Sequence, residues 1–325
     1  MWAYILRKIL YNIPVYLGII LLLMVLLRVN DPVYAFLGKS ASPEQIQVKR
    51  HEMGLDRPFL AQYRDFVWDI LRMDFSQRSW EQKRPVGQMI RKAVGPSLAI
   101  TAPSLFLTAI ISVTIGLIAS FYRGRSVDRT LMLLAVLGMC VSYLVYIILG
   151  QYFGAYWPRK ALGTSVFAVS VDATVGDEAG YFFVPANWVR FCMLPVLINL
   201  VVAMGYDTRF YRAVMVEEGT RDYIITAKAK GASKRKIMFV HMLKNAMIPI
   251  VTRVMITLPF LITGSILVEM YFGIPGMGRT LINAINAKDF PVIQAITALL
   301  AAVMIVTVIL TDVLYALLDP RVRLQ

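Results

Sequence analysis

Cysteine and histidine are nearly missing from this chain. Its 325 residues include two cysteines, Cys140 and Cys192, and two histidines, His51 and His241. Both cysteines fall in or beside long apolar runs, and neither stands in a metal-ligand spacing, so neither a disulfide framework nor a metal centre is expected. Charge is short as well. Asp, Glu, Lys and Arg make up 17% of the residues, where a soluble domain carries about 25%. Catalytic constellations are absent too: there is no His-Glu-x-x-His, no Ser/His/Asp set and no Gly-x-x-x-x-Gly-Lys-Ser/Thr loop to cradle phosphates. The chain is therefore not expected to be an enzyme or to hold a cofactor of its own. Any active transport it serves must draw its energy from a partner or from an ion gradient.

What is present is apolar. Hydrophobic residues reach 58% and mean hydropathy is +0.62. Six runs, at 9–27, 96–121, 131–153, 191–205, 246–268 and 292–318, are candidates to cross a hydrocarbon core, which takes about 20 helical residues. The fourth is short and extends through Trp188 or Phe210 if its flanks are counted. Backbone groups in lipid must be paired within their own element, so these runs predict helices. The first run holds Pro14 and has no small-residue cleavage site after it, so it reads as an anchor and not as a removable leader. The expected fold is an all-α membrane protein. It divides into an N-terminal transmembrane helix at 1–28, an extracytoplasmic region at 29–95 and a five-helix core at 96–320.

Charge predicts the orientation. Arg7 and Lys8 precede the first span, Arg123, Arg125 and Arg129 lie between the second and third, and Arg321 and Arg323 follow the sixth. A basic insert between the fourth and fifth spans, from about Asp207 to Lys244, has nine Lys/Arg against four Asp/Glu. With six spans all four sets fall on one side, and the positive-inside bias makes that side the cytoplasm, with both termini there. The net charge of +14 is in part this inward-facing positive set and needs no nucleic acid to explain it.

Two regions outside the lipid have structure of their own. In the first outer loop Ser42 can cap a helix that opens at Pro43, and the spacing of Phe59, Leu60, Tyr63, Phe66, Val67 and Ile70 predicts another. These short helices form either an extracytoplasmic binding surface or a cover over the helix ends. In the basic insert, at 207–245, Asp222, Tyr223, Ile224, Ile225, Thr226, Ala227, Lys228, Ala229, Lys230 and Gly231 read as a short helix. Asp222 can cap its start and Gly231 can take the left-handed conformation that ends it. Ser233 then caps a second helix running to about Met247. The small residues Ala227 and Ala229 suit packing into a protein groove, and the lysines would also suit an anionic lipid surface.

Ionisable groups inside spans mark ion paths or binding sites, and here they are few. Asp312 lies in the sixth span, Glu269 at the outer edge of the fifth and Arg253 in its inner part. Asp312 alone is a poor basis for proton coupling and is expected to hold a helix contact. Spans two, five and six are rich in Ser, Thr, Gly and Ala, among them Thr101, Ser104, Thr108, Ser112, Thr114, Gly116, Thr257, Thr263, Gly264 and Ser265. Such residues let helices approach closely and would equally line a weakly selective conduit.

Four stretches give the chain a family likeness. They are Tyr4 to Leu10 through Pro14; Gly54-Leu55-Asp56-Arg57-Pro58 with Gln62-Tyr63; Asp222 to Gly231 followed by Asn245-Ala246 and Pro249; and Phe272 to Arg279 with Asp289-Phe290-Pro291 and Leu314 to Arg321. In this order the chain resembles the membrane-spanning permease subunit of bacterial ABC importers, in the dipeptide/oligopeptide/nickel branch. The resemblance implies a six-helix permease of the bacterial cytoplasmic membrane. It implies a coupling helix at Asp222–Gly231 that fits one of two separate ATPase subunits, where ATP and magnesium would bind. It also implies a second homologous permease and an extracytoplasmic solute-binding protein as partners. The implied cargo is a di- or oligopeptide, with nickel or another small solute as the alternative; an ion-coupled carrier is the reading from another class. Two departures stand out. Ile225-Thr226-Ala227 occupy the place where ABC importers in general often have Glu-Ala-Ala, and no proline accompanies the turn expected near Cys140–Tyr143.

Overall fold

The computed structural model describes residues 2–29, 32–37, 41–171 and 180–318. Of the stretches singled out above, Asp319, Pro320, Arg321 and Arg323 lie outside the described residues. Among those described, the one β-type pairing is an isolated bridge between Arg78 and Pro85. Everything else regular is helical, as expected. Helix α1 (Trp2–Leu27) is followed by three short helices, α2 (Val33–Leu37), α3 (Pro43–Glu52) and α4 (Phe59–Leu71). Ser42 caps α3 as anticipated, in a full capping box with Gln45.

Helix α5 (Val86–Phe121) starts ten residues before the expected span, so the predicted boundary at 95/96 falls inside a helix. Pro96 and Pro103 are both accommodated within it. Then come α6 (Ser126–Cys140), α7 (Tyr143–Gly150), a π-type segment at Gln151–Tyr156 and α8 (Trp157–Leu162). Helix α9 (Pro185–Phe191) leads into α10 (Met193–Glu218), and α11 (Asp222–Ala229) follows. Helix α12 (Lys234–Lys236) runs through a second π-type segment, Ile237–Met242, into α13 (Leu243–Thr257). The chain closes with α14 (Phe260–Thr263), α15 (Ile266–Phe272), α16 (Met277–Asn286) and α17 (Phe290–Leu318).

Four helical runs are long and apolar enough to cross a bilayer: Leu6–Leu27, Val86–Phe121, Lys234–Thr257 and Phe290–Tyr315. Two further candidates are bent pairs, Ser126–Cys140 with Tyr143–Leu162 at 91° and Pro185–Phe191 with Met193–Glu218 at 53°. Counting each bent pair as one span gives six.

The third span breaks where no proline stands. Val141 and Ser142 are both extended, which leaves the last carbonyls of α6 without helical partners. The Tyr146 hydroxyl donates to one of them, Gly138 O, at 3.0 Å. Helix α10 runs close against this bend: a Cβ on Gly205 would stand 2.8 Å from Ala135 O.

The fifth span departs from the expected 246–268. Its helix begins at Lys234, so the second helix predicted in the insert is the foot of the span itself, and it stops at Thr257. Pro259 then lacks an amide proton to continue the ladder. Gly264 has φ +70°, a conformation open to glycine and costly for other residues. The displaced backbone is re-anchored by Glu269, which is 1% exposed. Its Oε1 accepts from Ser97 Oγ at 2.6 Å and its Oε2 from the Arg279 amide at 3.0 Å. That amide lies in the first turn of α16, where a helix favours an anion. Ser97 Oγ in turn accepts from the Met277 amide at 2.8 Å. One carboxylate thus ties α5, α15 and α16 together, and Gly264 and Gly276 make room for it.

Elsewhere small residues decide the packing. Ser104, Thr108, Ser112 and Gly116 recur every four residues along α5 and are buried, and α5 packs along α10. A Cβ on Gly116 would sit 3.0 Å from the Arg212 amide nitrogen. Most of this row is therefore interhelical contact, and part of it serves the cleft described below. Asp312 holds a helix contact as expected: Lys8 of α1 donates to it across to α17. Asp289 does the same at the opposite end of α17, accepting from Ser79 Oγ and, at 3.0 Å, from the Trp80 amide.

Substitution at the Glu269 knot should be costly. In Gly264→Ala a Cβ would stand 1.7 Å from Glu269 Oε1 at a positive φ, a combination of overpacking and backbone strain worth about 2–5 kcal/mol. Purified in detergent, this variant should unfold at a clearly lower temperature than the parent. Gly18→Ala, whose Cβ meets nothing within 4 Å, should leave the midpoint in place.

Candidate functional site

Helix α11 is a supported and capped knob. Its inner face is Ile224 and Ala227, both buried. They pack in one cluster with Leu117 of α5, Tyr211 and Met215 of α10, and Ile237, Met238, Met242 and Ala246 of the fifth span. Tyr223 fastens the start of the helix by donating to Glu218 Oε2 at 2.5 Å. Burial and that bond push its phenol up to about 12, so the proton stays in place at neutral pH. The end is closed by Gly231 at φ +75°, with the Gly231 amide donating to Lys228 O at 3.0 Å and the Ala232 amide to Ala227 O at 3.1 Å. Arg221, not Asp222, occupies the N-cap, and its side chain caps nothing. Asp222 stands in the first turn, where its charge suits the dipole. Ser233 caps the next helix by accepting from the Lys236 amide at 3.3 Å.

The outer face consists of Asp222, Ile225, Thr226, Lys228, Ala229, Lys230 and Gly231, all exposed. Ile225 is 60% exposed. One large apolar side chain among small and cationic ones is too little surface to hold a helix in lipid by itself, and it matches an anchor for a shaped pocket. A groove of about 290 Å³ runs beside the knob, with Met215, Ile224, Ile237 and Met238 on its floor and Arg123, Arg125, Lys228 and Lys234 around it. The ten residues of the predicted site therefore act as two sets, with Tyr223, Ile224 and Ala227 holding the helix to the bundle and the other seven presented outward.

A second feature lies within the spans. Helices α5, α7, α10 and α13–α15 enclose an open cleft of about 300 Å³. Thr101, Ser104, Tyr143, Asn199, Asp207 and Ser265 supply its polar lining. The Tyr143 hydroxyl donates to Asn199 Oδ1 and lies 2.9 Å from Ser265 Oγ. Asn199 Nδ2 donates to Ser104 Oγ at 3.3 Å. Asp207 Oδ1 accepts from Arg253 Nε at 2.9 Å.

Asp207 was expected at the head of the basic insert. Instead α10 runs on to Glu218, and Asp207 sits inside the span, about 16 Å from the helix end at 1.5 Å per residue. The signal was available. Gly205, Thr208, Tyr211 and Met215, all buried, keep a helical period beyond the point where hydropathy falls. Also unforeseen is the pair of Asp128 and Arg212, joined by two hydrogen bonds of 2.5 and 2.6 Å, which locks α6 to α10. Three further polar side chains bond to backbone: Asn12 donates to Lys8 O, Asn245 to His241 O, and Gln151 to Val169 O and Tyr271 O. Cys140 and Cys192 are free thiols. Among the described residues no group of three or more His, Cys, Asp or Glu side chains is placed to hold a metal.

Known proteins are similar to this sequence almost end to end. Residues 112–324 match the family described as the binding-protein-dependent transport system inner membrane component, and residues 1–88 match its N-terminal companion. A putative peptide transport system permease protein of Brucella abortus is 32% identical over 328 residues, covering 99% of each chain. A probable peptide ABC transporter permease of Sinorhizobium fredii is 31% identical over 99% of this chain and 100% of its own. The glutathione transport system permease protein GsiC of Salmonella choleraesuis is 32% identical over 99% of each. Family match and full-length likeness agree with a helical membrane bundle of up to six spans, and the chain belongs to the binding-protein-dependent transport system inner membrane components, the permeases of ABC importers.

Proposed function

We propose that this permease carries di- or oligopeptides inward across the bacterial cytoplasmic membrane, and that α11 is where it takes up the work of a separate ATPase subunit. The single observation that carries the second half is the two-sided character of α11. Its inner face is locked into the bundle by Ile224 and Ala227, while Ile225 and Lys228 stand free on the outside. A helix rigid against its own protein and bare toward solvent transmits displacement. The cargo reading rests on the relatives, which are named for peptide or glutathione transport along their whole length; glutathione is itself a small peptide.

On this reading a second homologous permease completes the passage, two ATPase subunits bind ATP and magnesium, and an extracytoplasmic solute-binding protein delivers cargo. This chain has no phosphate-cradling loop in its sequence, and its energy comes from those partners. Its amino and carboxyl termini and α11 face the cytoplasm, and α3 and α4 face outward, as the distribution of Lys and Arg supports.

Two measurements test this. Ile225→Asp places a charge where an apolar anchor should enter a pocket, and burial of an isoleucine side chain is worth about 1.5–3 kcal/mol. The assembled importer carrying it should bind the ATPase roughly tenfold or more weakly and lose peptide uptake, while the permease remains in the membrane. Unchanged ATPase binding would refute the docking role. Because Ala227 faces the bundle, substitutions there probe the support and not the contact. Orientation is tested in a chain with Cys140→Ser and Cys192→Ala: Lys230→Cys should react with an impermeant maleimide from the cytoplasmic side alone, and Leu60→Cys, 75% exposed on α4, from the outer side alone.

A further inference from the structure

The cleft has a composition that interhelical packing does not require. Hydroxyl, amide and carboxylate groups line it together, yet it is open, and Phe260 at its edge is largely exposed. Polar groups facing hydrocarbon are costly, so such a surface faces a watery passage or a neighbouring protein. Its volume, about 300 Å³, is at the lower end of the range of sites for small organic ligands.

The charged end of the cleft is the informative part. Asp207 and Arg253 make a single hydrogen bond through Oδ1, unlike Asp128 and Arg212, which are held through both oxygens. Among the described residues Asp207 Oδ2 has no hydrogen-bond partner. The Asp207 side chain is mostly covered, at 13% exposure, while Arg253 is 39% exposed. Other intramembrane carboxylates are placed differently: Glu269 is sealed within α5, α15 and α16, and Asp312 is engaged by Lys8 between α1 and α17. Asp207 is the one that also lines this cleft.

We propose that the cleft is a cargo-contact site and that the Asp207–Arg253 pair opens to exchange partners with a zwitterionic peptide, the cargo ammonium taking the place of Arg253 at Asp207. This rests on the peptide reading above. A peptide with free termini brings one positive and one negative group. The exchange therefore keeps every charge paired: the ammonium meets Asp207, and the released Arg253 guanidinium meets the peptide carboxylate. A solute without a cation has nothing to offer Asp207 and leaves the pair closed. Asn199, about two turns farther along α10, and Tyr143 and Ser265 bonded beside it present the amide and hydroxyl groups that peptide bonds need. Contacts of this number hold cargo weakly enough to let it leave, a requirement for any passage.

The test uses the complete importer in proteoliposomes, with its binding protein saturated by tritiated alanyl-alanine. The quantity read is peptides moved per ATP hydrolysed. Asp207→Asn should lower that ratio about tenfold, and Asp207→Glu should recover most of it. A merely structural pair would give the same two results, because removing one partner strands the other charge. The deciding variant is therefore Asp207→Asn combined with Arg253→Gln, which removes both charges and strands neither. Cargo contact predicts that its ratio stays low although its unfolding temperature in detergent returns to that of the parent. A ratio back at the parent value in the double variant would overturn the proposal, as would an unchanged ratio in Asp207→Asn. If the parent importer itself moves no dipeptide, the peptide reading falls first, and the assignment of the ammonium falls with it.

Discussion

Hydrocarbon cannot hydrogen-bond, and every irregularity in this bundle is shaped by that constraint. At the breaks in the third and fifth spans, side chains take over groups set free. Tyr146 answers Gly138 O at the bend between α6 and α7. Glu269 and Ser97 answer the Arg279 and Met277 amides at the start of α16. Thr101 accommodates Leu261 O beside the break after Thr257, donating to it at 3.1 Å. Side chains thus secure the breaks as backbone ladders secure the helices. The breaks also open the cleft, since α7, α14 and α15 are the broken pieces around it.

The same constraint governs charge. Lys8–Asp312, Asp128–Arg212 and Asp207–Arg253 each join helices distant in sequence. Removing one member of such a pair strands the other, and this is what makes the pairs effective fasteners. They are not equivalent. Asp128 is enclosed and doubly bonded, accepting also from the Gly124 amide at 2.9 Å, so it fixes the turn between α5 and α6 as well as the α6–α10 contact. Asp207, singly bonded at the edge of open space, is the pair with a change of partner within reach. Helix α10 links it to α11. Met215 supports Ile224 and Ala227 and lies eight residues from Asp207 along the same helix, about 12 Å. A displacement of the knob therefore acts on the helix that carries the cleft's carboxylate.

Much of this was legible in the sequence, for reasons that can be named. Six apolar runs predict the spans because burial in lipid demands length and hydropathy, and both are visible one residue at a time. Ser42, Ser233 and Gly231 were readable as caps because their roles depend on a few neighbouring backbone groups. Boundaries were harder. Hydropathy ended the fourth span near Gly205 because Asp207, Arg209 and Arg212 follow, although buried residues keep a helical period to Met215. The break in the fifth span escaped notice because Pro259 and Gly264 fall inside an apolar run, and the carboxylate that makes sense of them is five residues farther on. Pairings such as Asp128 with Arg212 are fixed by tertiary approach and have no local signature at all.

The small outer face of α11 has a consequence for how such a subunit is assembled. On the docking reading, Ile225 is the one large apolar side chain it offers, worth about 1.5–3 kcal/mol on full burial. That is far short of what a stable complex needs once the cost of lost rigid-body freedom is set against it. On the proposed assembly the grip is shared, between two permeases acting on two ATPases and with the cations around the neighbouring groove, Arg123, Arg125 and Lys234. A motor that cycles benefits from this division. The support beneath α11 is apolar and packed into the bundle, while the face above it is narrow and rimmed with charge, so on the proposed docking the strain of each stroke falls on the interface and not on the fold.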